Sequence, residues 1–113
     1  DGVSLCGTRG WLFEAGDEHD VKIAARETGR LLASLNAATC EEKIVFLHYP
    51  PLSATATSPG LINAMQQHGV KRCFYGHLHS ASIRYATTGN IDGITYHLVS
   101  ADALKFTPLF IPF

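Results

Sequence analysis

The sequence predicts an α/β domain in which strands alternate with helices and a β-hairpin follows. Three observations support this class: short apolar runs typical of strands, two segments with helical periodicity between them, and strand-like patterns only after residue 80. Alternating strands and helices favour a largely parallel sheet covered by helices. In such sheets ligands bind at the carboxyl ends of the strands, so residues that follow a strand are the first candidates for function.

The composition indicates an ordinary globular domain. With 113 residues, 46% of them hydrophobic and 17% charged, the chain is expected to be one domain or part of one. A formal net charge of −1 without a basic run argues against nucleic-acid binding. No apolar run approaches the roughly 18 residues of a membrane helix, and no signal peptide opens the chain. The widely spaced cysteines fit buried reduced thiols, so we expect a cytoplasmic protein: Cys6, Cys40 and Cys73.

A first strand is predicted from Val3 to Cys6, and the glycine-bracketed loop Gly7-Thr8-Arg9-Gly10-Trp11 follows it. The two glycines permit an unusual backbone path, and Arg9 between them can offer its guanidinium group to a phosphate. The alternative is a structural turn in which Arg9 pairs with a surface carboxylate. A lone Gly-x-x-Gly loop is too common to decide between these two interpretations.

A first helix is predicted from Asp17 to about Ala37. Its acidic beginning suits a helix amino terminus, and Gly29 is expected to weaken its middle by about 1 kcal/mol relative to alanine. The residues expected to face the core recur at steps of three and four: Val21, Ala24, Thr28, Leu31 and Leu35.

A second strand, Ile44 to Leu47, leads into a long loop from His48 to Pro59, and loops of this length are often functional. A shorter helix is predicted from Ser58 or Pro59 to His68, closed by Gly69. Its core-facing residues are expected to be Leu61, Ile62 and Met65.

A third strand is predicted from Arg72 to Tyr75, and two more, Ser82 to Ala86 and Ile94 to Val99, are expected to form the hairpin. Its turn is placed around Thr88-Gly89-Asn90, because these residue types favour tight turns. The tail from Phe106 to Phe113 holds two prolines among large apolar side chains, which predicts a packed edge segment.

Three histidines follow the second and third strands. His48 comes directly after the second strand, and His77 and His79 come just after the third. Alternate side chains of an extended segment point the same way, so His77 and His79 can face one space together with His48. Gly76 is expected to provide a sharp backbone turn close to a bound ion. Two further histidines are expected to be a helix cap or a packed ring: His68 and His97.

Two blocks, Phe46-Leu47-His48-Tyr49-Pro50-Pro51 and Tyr75-Gly76-His77-Leu78-His79, resemble the last two signature blocks of the calcineurin-like metallophosphoesterases. In that family a histidine after a core strand is followed, about one helix and one strand later, by Gly-His-x-His. The Gly-Thr-Arg-Gly-Trp segment and the stretch from Tyr96 to Asp102 look like a bacterial branch of predicted phosphohydrolases.

The resemblance implies an αββα sandwich and a phosphohydrolase with a two-metal centre. In that family the histidines that match His48 and His77 bind one metal, and the histidine that matches His79 binds the other. Imidazole ligands suit transition metals, so two divalent ions of Mn, Fe, Zn or Ni are expected. Such a pair clamps a phosphoryl group and activates a water molecule. Arg9 is the residue expected to bind the phosphate-ester substrate.

The family's earlier blocks, Asp-x-His, Gly-Asp-x-x-Asp and Gly-Asn-His, are not present here as a set. Asp17-Glu18-His19 matches Asp-x-His by letter, but it opens a helix, where residues i and i+2 do not share a face. The bridging carboxylate and the proton-donating histidine are missing, so no catalytic residue is assigned. Residues 1–113 are therefore expected to be the carboxyl-terminal half of the domain, inactive without its amino-terminal half.

Two other classes of function stay open. One is a mononuclear zinc hydrolase in which His48, His77 and His79 bind one ion and water takes the fourth position. The other is a non-catalytic α/β interaction module in which the histidines are incidental. The number of ions bound by the isolated chain distinguishes the first class, and the effect of removing His77 on metal content distinguishes the second.

Overall fold

The computed structural model describes residues 2–12 and 18–113, and Asp17 of the predicted first helix lies outside them. The described strands are β1 (Val3–Thr8), β2 (Glu42–Leu47), β3 (Arg72–Tyr75), β4 (Gly89–Ile91) and β5 (Ile94–Leu98). The described helices are α1 (Glu18–Ala37), α2 (Pro59–Gln67) and a 3₁₀ helix over Ser80–Tyr85. Neither α1 nor α2 has the length and apolar character that crossing a membrane requires.

These strands form one mixed sheet in the order β1-β2-β3-β5-β4. The strands β1, β2, β3 and β5 run parallel, and β4 is antiparallel to β5. The chain moves in one direction from β1 to β3, so right-handed crossovers place α1 and α2 on the same face of the sheet. The predicted α/β class is confirmed.

The core lies between the two α-helices and this first face of the sheet. Alternate strand residues point toward it, and the row formed by Cys6, Val45 and Cys73 in register is buried. The helices contribute Leu31, Leu35, Leu61, Ala64 and Met65. Burial raises the pKa of the Cys73 thiol to about 12, so this cysteine is a packing residue, as predicted. Cys40 is also a free thiol but is only half-buried.

The second face of the sheet carries a row of stacked rings. Phe46 stacks on Phe74 with ring centroids 5.3 Å apart, and Phe74 stacks on His97 at 4.6 Å. The three residues are neighbours in register on β2, β3 and β5. His97 is thus a packed ring.

The helix α2 follows its prediction. Pro59 lies in its first turn, Leu61 and Met65 are buried, and Ile62 is partly buried against the core. Gly69 ends the helix with a φ of +69°, a left-handed conformation that glycine adopts without steric cost.

The buried stripe of α1 differs from the predicted one in its first half. The buried residues are Ile23, Glu27, Leu31 and Leu35. Val21, expected in the core, is 50% exposed. The buried residues recur every four residues, and Glu27 is one of them. A hydrophobic pattern does not place a glutamate in the core, because an unpaired carboxylate is costly to bury. Hydrogen bonds from Thr8 and Gly10 make its burial possible.

The hairpin lies later in the chain than predicted. Gly89–Ile91 pairs with Ile94–Leu98, and Asp92 and Gly93 form the turn with φ values of 51° and 92°. Ser82 to Ala86, predicted as a strand, belongs largely to the 3₁₀ helix. Ser82 is the reason, because its side chain and backbone bond reciprocally with His79 and so start a helical turn.

The tail does not form the packed edge segment that was predicted. Phe106, Phe110 and Phe113 are 80%, 85% and 77% exposed. One anchor is Arg72, whose guanidinium donates to the carbonyl oxygen of Pro112 at 2.6 Å. Prolines lack the N–H groups that a ladder requires, which weakens strand pairing along this segment.

Candidate functional site

The carboxyl ends of β1, β2 and β3 meet at one edge of the sheet, where backbone hydrogen bonds tie them together. The N–H groups of His48 and Tyr49 donate to the carbonyl oxygen of Arg9 at 3.1 and 3.0 Å. The N–H of Gly76 donates to the carbonyl oxygen of His48 at 3.0 Å. These bonds continue the contact beyond the strands, so the loop after β1 and the two histidine blocks lie side by side.

The rings of His48 and His77 lie together at this edge. Their centroids are 5.3 Å apart and their planes are inclined by 75°. The ring of Tyr49 packs against both, with its centroid 4.7 Å from that of His48 and 4.5 Å from that of His77. The ends of β2 and β3 therefore bring two of the three candidate ligands together.

The environment of His77 favours its neutral form. Burial lowers the pKa of the His77 imidazole, and the neighbouring imidazoles of His48 and His79 lower it further. A histidine binds a metal ion through the lone pair of its neutral ring. At neutral pH His77 is therefore in the state that a metal ligand needs.

The sharp backbone turn lies at His77 and not at Gly76. His77 has a φ of +70°, and the N–H of Leu78 donates back to the carbonyl oxygen of Gly76 at 2.8 Å, which closes a three-residue turn. A positive φ is strained for a residue with a side chain, and such strain clusters at functional sites. The sharp turn predicted at Gly76 is therefore displaced by one residue, and a Cβ placed on Gly76 would meet the carbonyl oxygen of His48 at an ordinary 3.7 Å.

Gly76→Ala is therefore expected to change the free energy of unfolding by less than about 1 kcal/mol. Gly69→Ala is the matched control, because its φ of +69° penalises any side chain. The control is expected to lose about 1 kcal/mol or more. Urea unfolding followed by circular dichroism measures both, and a loss in Gly76→Ala as large as that of the control would contradict this account of the turn.

His79 contacts a carboxylate that the sequence analysis did not identify. Its Nδ1 is 2.8 Å from Oδ1 of Asp102, and Oδ2 of Asp102 accepts the N–H of Ser80 at 2.6 Å. The hydrogen bond from Ser80, followed by that from His79, lowers the pKa of the Asp102 carboxyl. The N–H of Val99 donates to the carbonyl oxygen of Tyr75 at 2.8 Å, so the segment after β5 runs beside the segment after β3. Asp102 is the first carboxylate after β5, and its position could have been inferred had the strand order been known.

Arg9 stands at the same edge beside a second carboxylate, that of Glu27 on α1. The Arg9 guanidinium is 3.9 Å from Oε2 of Glu27 and lies over the Trp11 ring, with Cζ 5.0 Å from the centroid. The arginine side chain is 46% exposed. Arg9 therefore pairs with a carboxylate, as one of the two interpretations had it, but this carboxylate is buried instead of lying on the surface.

Glu27 is a structural residue of the site that sequence reasoning missed. Its Oε1 accepts the Thr8 hydroxyl at 2.8 Å and the Gly10 N–H at 3.1 Å, and its Oε2 accepts Arg30 at 2.9 Å. Burial raises the pKa of Glu27, but the Thr8 hydrogen bond and the charges of Arg30 and Arg9 outweigh it and hold the pKa below 4.5. The carboxylate thereby fixes the loop that carries Arg9.

The candidate ligands fit a transition metal by chemical type, because imidazole nitrogens suit Zn, Fe, Mn and Ni. Within residues 2–12 and 18–113, no three histidine, cysteine, aspartate or glutamate side chains form a group that could hold an ion. The donor type therefore fits a metal, whereas the described part of the chain does not contain a closed ligand set. His68 lies away from this edge, at the carboxyl end of α2, where its N–H donates to Ala64.

Comparison with protein-family models, with curated proteins and with solved structures finds no match to this chain. Function is therefore inferred from the residues at the carboxyl edge of the sheet.

Proposed function

We propose that this chain is the carboxyl-terminal part of a metal-dependent phosphohydrolase of the calcineurin-like metallophosphoesterase type. The observation that carries the proposal is the meeting of the His48 and His77 rings, 5.3 Å apart, at the carboxyl edge of adjacent parallel strands. The imidazole of His79, two residues further along the chain, contributes to the lowered pKa of His77. Neighbouring imidazoles at the carboxyl ends of strands are suitable donors for a transition metal.

In this proposal two divalent transition ions, drawn from Mn, Fe, Zn or Ni, bind at the edge. His48 and His77 hold one ion and His79 holds the other. The remaining ligands, including a bridging carboxylate, come from the amino-terminal half of the domain. When bound, such ions polarise a phosphoryl group and lower the pKa of a water molecule. Without the other half, the chain is expected to be inactive.

Arg9 is proposed to bind the phosphate ester. Its carbonyl oxygen accepts the N–H groups of His48 and Tyr49, which sets the residue beside the histidines. Its guanidinium is held by Glu27 and by the Trp11 ring, yet it stays half-exposed. A guanidinium restrained in this way can present two parallel N–H donors to phosphate oxygens.

The fold is proposed to be one side of an αββα sandwich. The described α-helices cover the first face of the sheet, and the second face carries the Phe46, Phe74 and His97 rings. Leu5, in register with Ile44 on this second face, is 62% exposed, whereas Ile44 and Phe74 are already buried. A second sheet from the amino-terminal half would cover the open part of this face around Leu5.

His77→Ala is expected to remove metal from the protein expressed from its full gene. Alanine supplies no lone pair, so the ion shared with His48 loses a ligand and the metal content falls from about two ions per molecule to one or none. Inductively coupled plasma mass spectrometry of the purified protein measures this metal content. His68→Ala makes the same substitution away from the site and is the matched control, expected to keep the full content.

The other outcomes favour the other classes of function. Unchanged metal content in His77→Ala would contradict the proposal and favour a non-catalytic interaction module. One tightly bound ion per isolated chain, without the amino-terminal half, would favour the mononuclear three-histidine zinc site. Hydrolysis of phosphomonoesters or phosphodiesters by the full protein, lost in His77→Ala and kept in His68→Ala, would support the phosphohydrolase.

A further inference from the structure

We propose that Asp102 is a positioning residue that fixes the tautomer and the direction of the His79 ring, so that Nε2 is the nitrogen presented to a ligand. That this ligand is a metal ion rests on the proposed function. The tautomer does not, because it follows from the contact between His79 and Asp102 alone.

The carboxylate of Asp102 is itself held in place. Its Oδ1 lies 2.8 Å from Nδ1 of His79 and accepts the N–H of Ala103 at 3.1 Å, while its Oδ2 accepts the N–H of Ser80 at 2.6 Å. Rotation of the carboxylate would break at least one of these hydrogen bonds. Asp102 therefore offers His79 an acceptor in a fixed direction.

The backbone of His79 is fixed separately from its ring. The N–H of His79 donates to Oγ of Ser82 at 3.0 Å, and this hydroxyl donates to the carbonyl oxygen of His79 at 2.6 Å. Ser80, with a φ of +52°, turns the chain so that its N–H reaches Asp102. The hydrogen bonds with Ser82 fix the backbone of His79, and the contact with Asp102 fixes the orientation of its ring.

The chemistry of the contact determines the tautomer. An ionised carboxylate only accepts hydrogen bonds, so a distance of 2.8 Å requires the proton on Nδ1 of His79. The neutral ring then carries its lone pair on Nε2. A carboxylate that holds the other nitrogen also raises the basicity of a ligating histidine. The side chain of His79 is 57% exposed, so Nε2 is accessible.

This tautomer is the opposite of the one that a solvent-exposed histidine side chain favours in water, which carries its proton on Nε2. Long-range proton–nitrogen correlation spectra of the chain with nitrogen-labelled histidines show which nitrogen bears the proton. The spectra are recorded at a pH of about 8.5, well above the ordinary imidazole pKa of about 6.5. The spectrum of His79 is expected to show the Nδ1–H form as the main species.

Asp102→Ala is expected to remove this preference. Alanine offers no acceptor to the Nδ1–H of His79, so the ring is expected to return to the Nε2–H form that a histidine side chain favours in water. Asp92→Ala removes the same charge in the β4–β5 turn, at the opposite edge of the sheet, and is expected to leave the His79 signals unchanged.

An Nε2–H ring in the wild-type chain, or an unchanged tautomer in Asp102→Ala, would overturn the inference. Titration of the protein expressed from its full gene with Co²⁺ tests the ligand, and Asp102→Ala in that protein is expected to weaken Co²⁺ binding at His79 by about 10–100-fold. Equal Co²⁺ affinity in both proteins would also overturn the positioning role. A protein expressed from its full gene that binds no Co²⁺, although His79 carries its proton on Nδ1, would support the tautomer and count against the proposed function.

Discussion

Gly7→Ala is expected to lower the free energy of unfolding by about 3 kcal/mol. A Cβ built on Gly7 would overlap the carbonyl oxygen of Phe46 on the neighbouring strand β2. This obstacle is a backbone atom, so no side-chain rotation relieves it. The strand β1 would have to move away from β2 and lose part of the parallel ladder between them.

The same displacement is expected to reach the candidate site. The N–H of Gly7 donates to Oγ of Ser34 on α1 at 3.0 Å, which couples β1 to the helix. Two residues later, the carbonyl oxygen of Arg9 accepts the N–H groups of His48 and Tyr49. A shift of β1 therefore disturbs the loop that carries Arg9 as well as the sheet.

Gly29→Ala is the matched control. Among the described residues, no atom lies within 4 Å of a Cβ built on this exposed position of α1. Alanine is expected to stabilise the helix there by about 0.5–1 kcal/mol. Urea unfolding curves of the two variants should therefore shift in opposite directions from the wild type, and an unchanged midpoint for Gly7→Ala would show that β1 and β2 do not approach so closely.

The regular elements could be predicted because their buried residues repeat with the period of the element. The strand predicted over Ile44 to Leu47 lies within β2, and the strand predicted over Arg72 to Tyr75 has the same bounds as β3. The helix α2 begins at Pro59, one of its two predicted starts. The edge that carries the histidines also follows from sequence, since parallel strands joined by helices place their carboxyl ends together. The meeting of the His48 and His77 rings could be predicted for this reason.

Contacts set by hydrogen bonds between distant segments could not be predicted in this way. The burial of Glu27 depends on Thr8, the last residue of β1, and on Gly10 in the loop that follows. The contact of His79 with Asp102 depends on β5 lying next to β3, and hydrophobic periodicity does not reveal the order of strands. The polar part of the site is therefore the part that required coordinates.

Local hydrogen bonds also overrode the apparent strand pattern after His79. The segment Ser82 to Ala86 alternates in polarity as a strand would, but the Ser82 hydroxyl and backbone bond to His79 and start a 3₁₀ helix. The chain thus turns directly after His79 instead of continuing away from the edge. This turn keeps the ring of His79 close to Asp102.

Glu27→Ala is expected to lower the free energy of unfolding by about 3 kcal/mol. The substitution leaves the buried N–H of Gly10 and the hydroxyl of Thr8 without their acceptor, and it removes the partner of Arg30. Because the arginines are partly exposed, water compensates for the lost carboxylate there, and most of the cost in unfolding free energy comes from Thr8 and Gly10.

Glu27→Gln separates the contribution of the Thr8 and Gly10 hydrogen bonds from that of the arginine ion pairs. A glutamine oxygen in the place of Oε1 can still accept from Thr8 and Gly10, whereas its amide nitrogen would face the guanidinium groups of Arg30 and Arg9. The expected loss is about 1–2 kcal/mol, less than for alanine. Glu42→Gln is the control, since Glu42 is 51% exposed and pairs with Arg72 at the surface, where a loss of less than about 1 kcal/mol is expected.

The pH dependence of unfolding distinguishes the charge of Glu27 from its shape. Its pKa in the folded chain lies below the ordinary 4.5, so the unfolded chain binds more protons in this range. The stabilisation by the carboxylate is complete above about pH 4.5 and is lost as the pH falls through the folded pKa. In urea unfolding, the free energy of unfolding of the wild type is therefore expected to exceed that of Glu27→Gln at pH 7. The two values are expected to approach each other at about pH 3. A difference that stayed constant with pH would mean that the ionised carboxylate does not hold the Arg9 loop, and that shape alone explains the burial of Glu27.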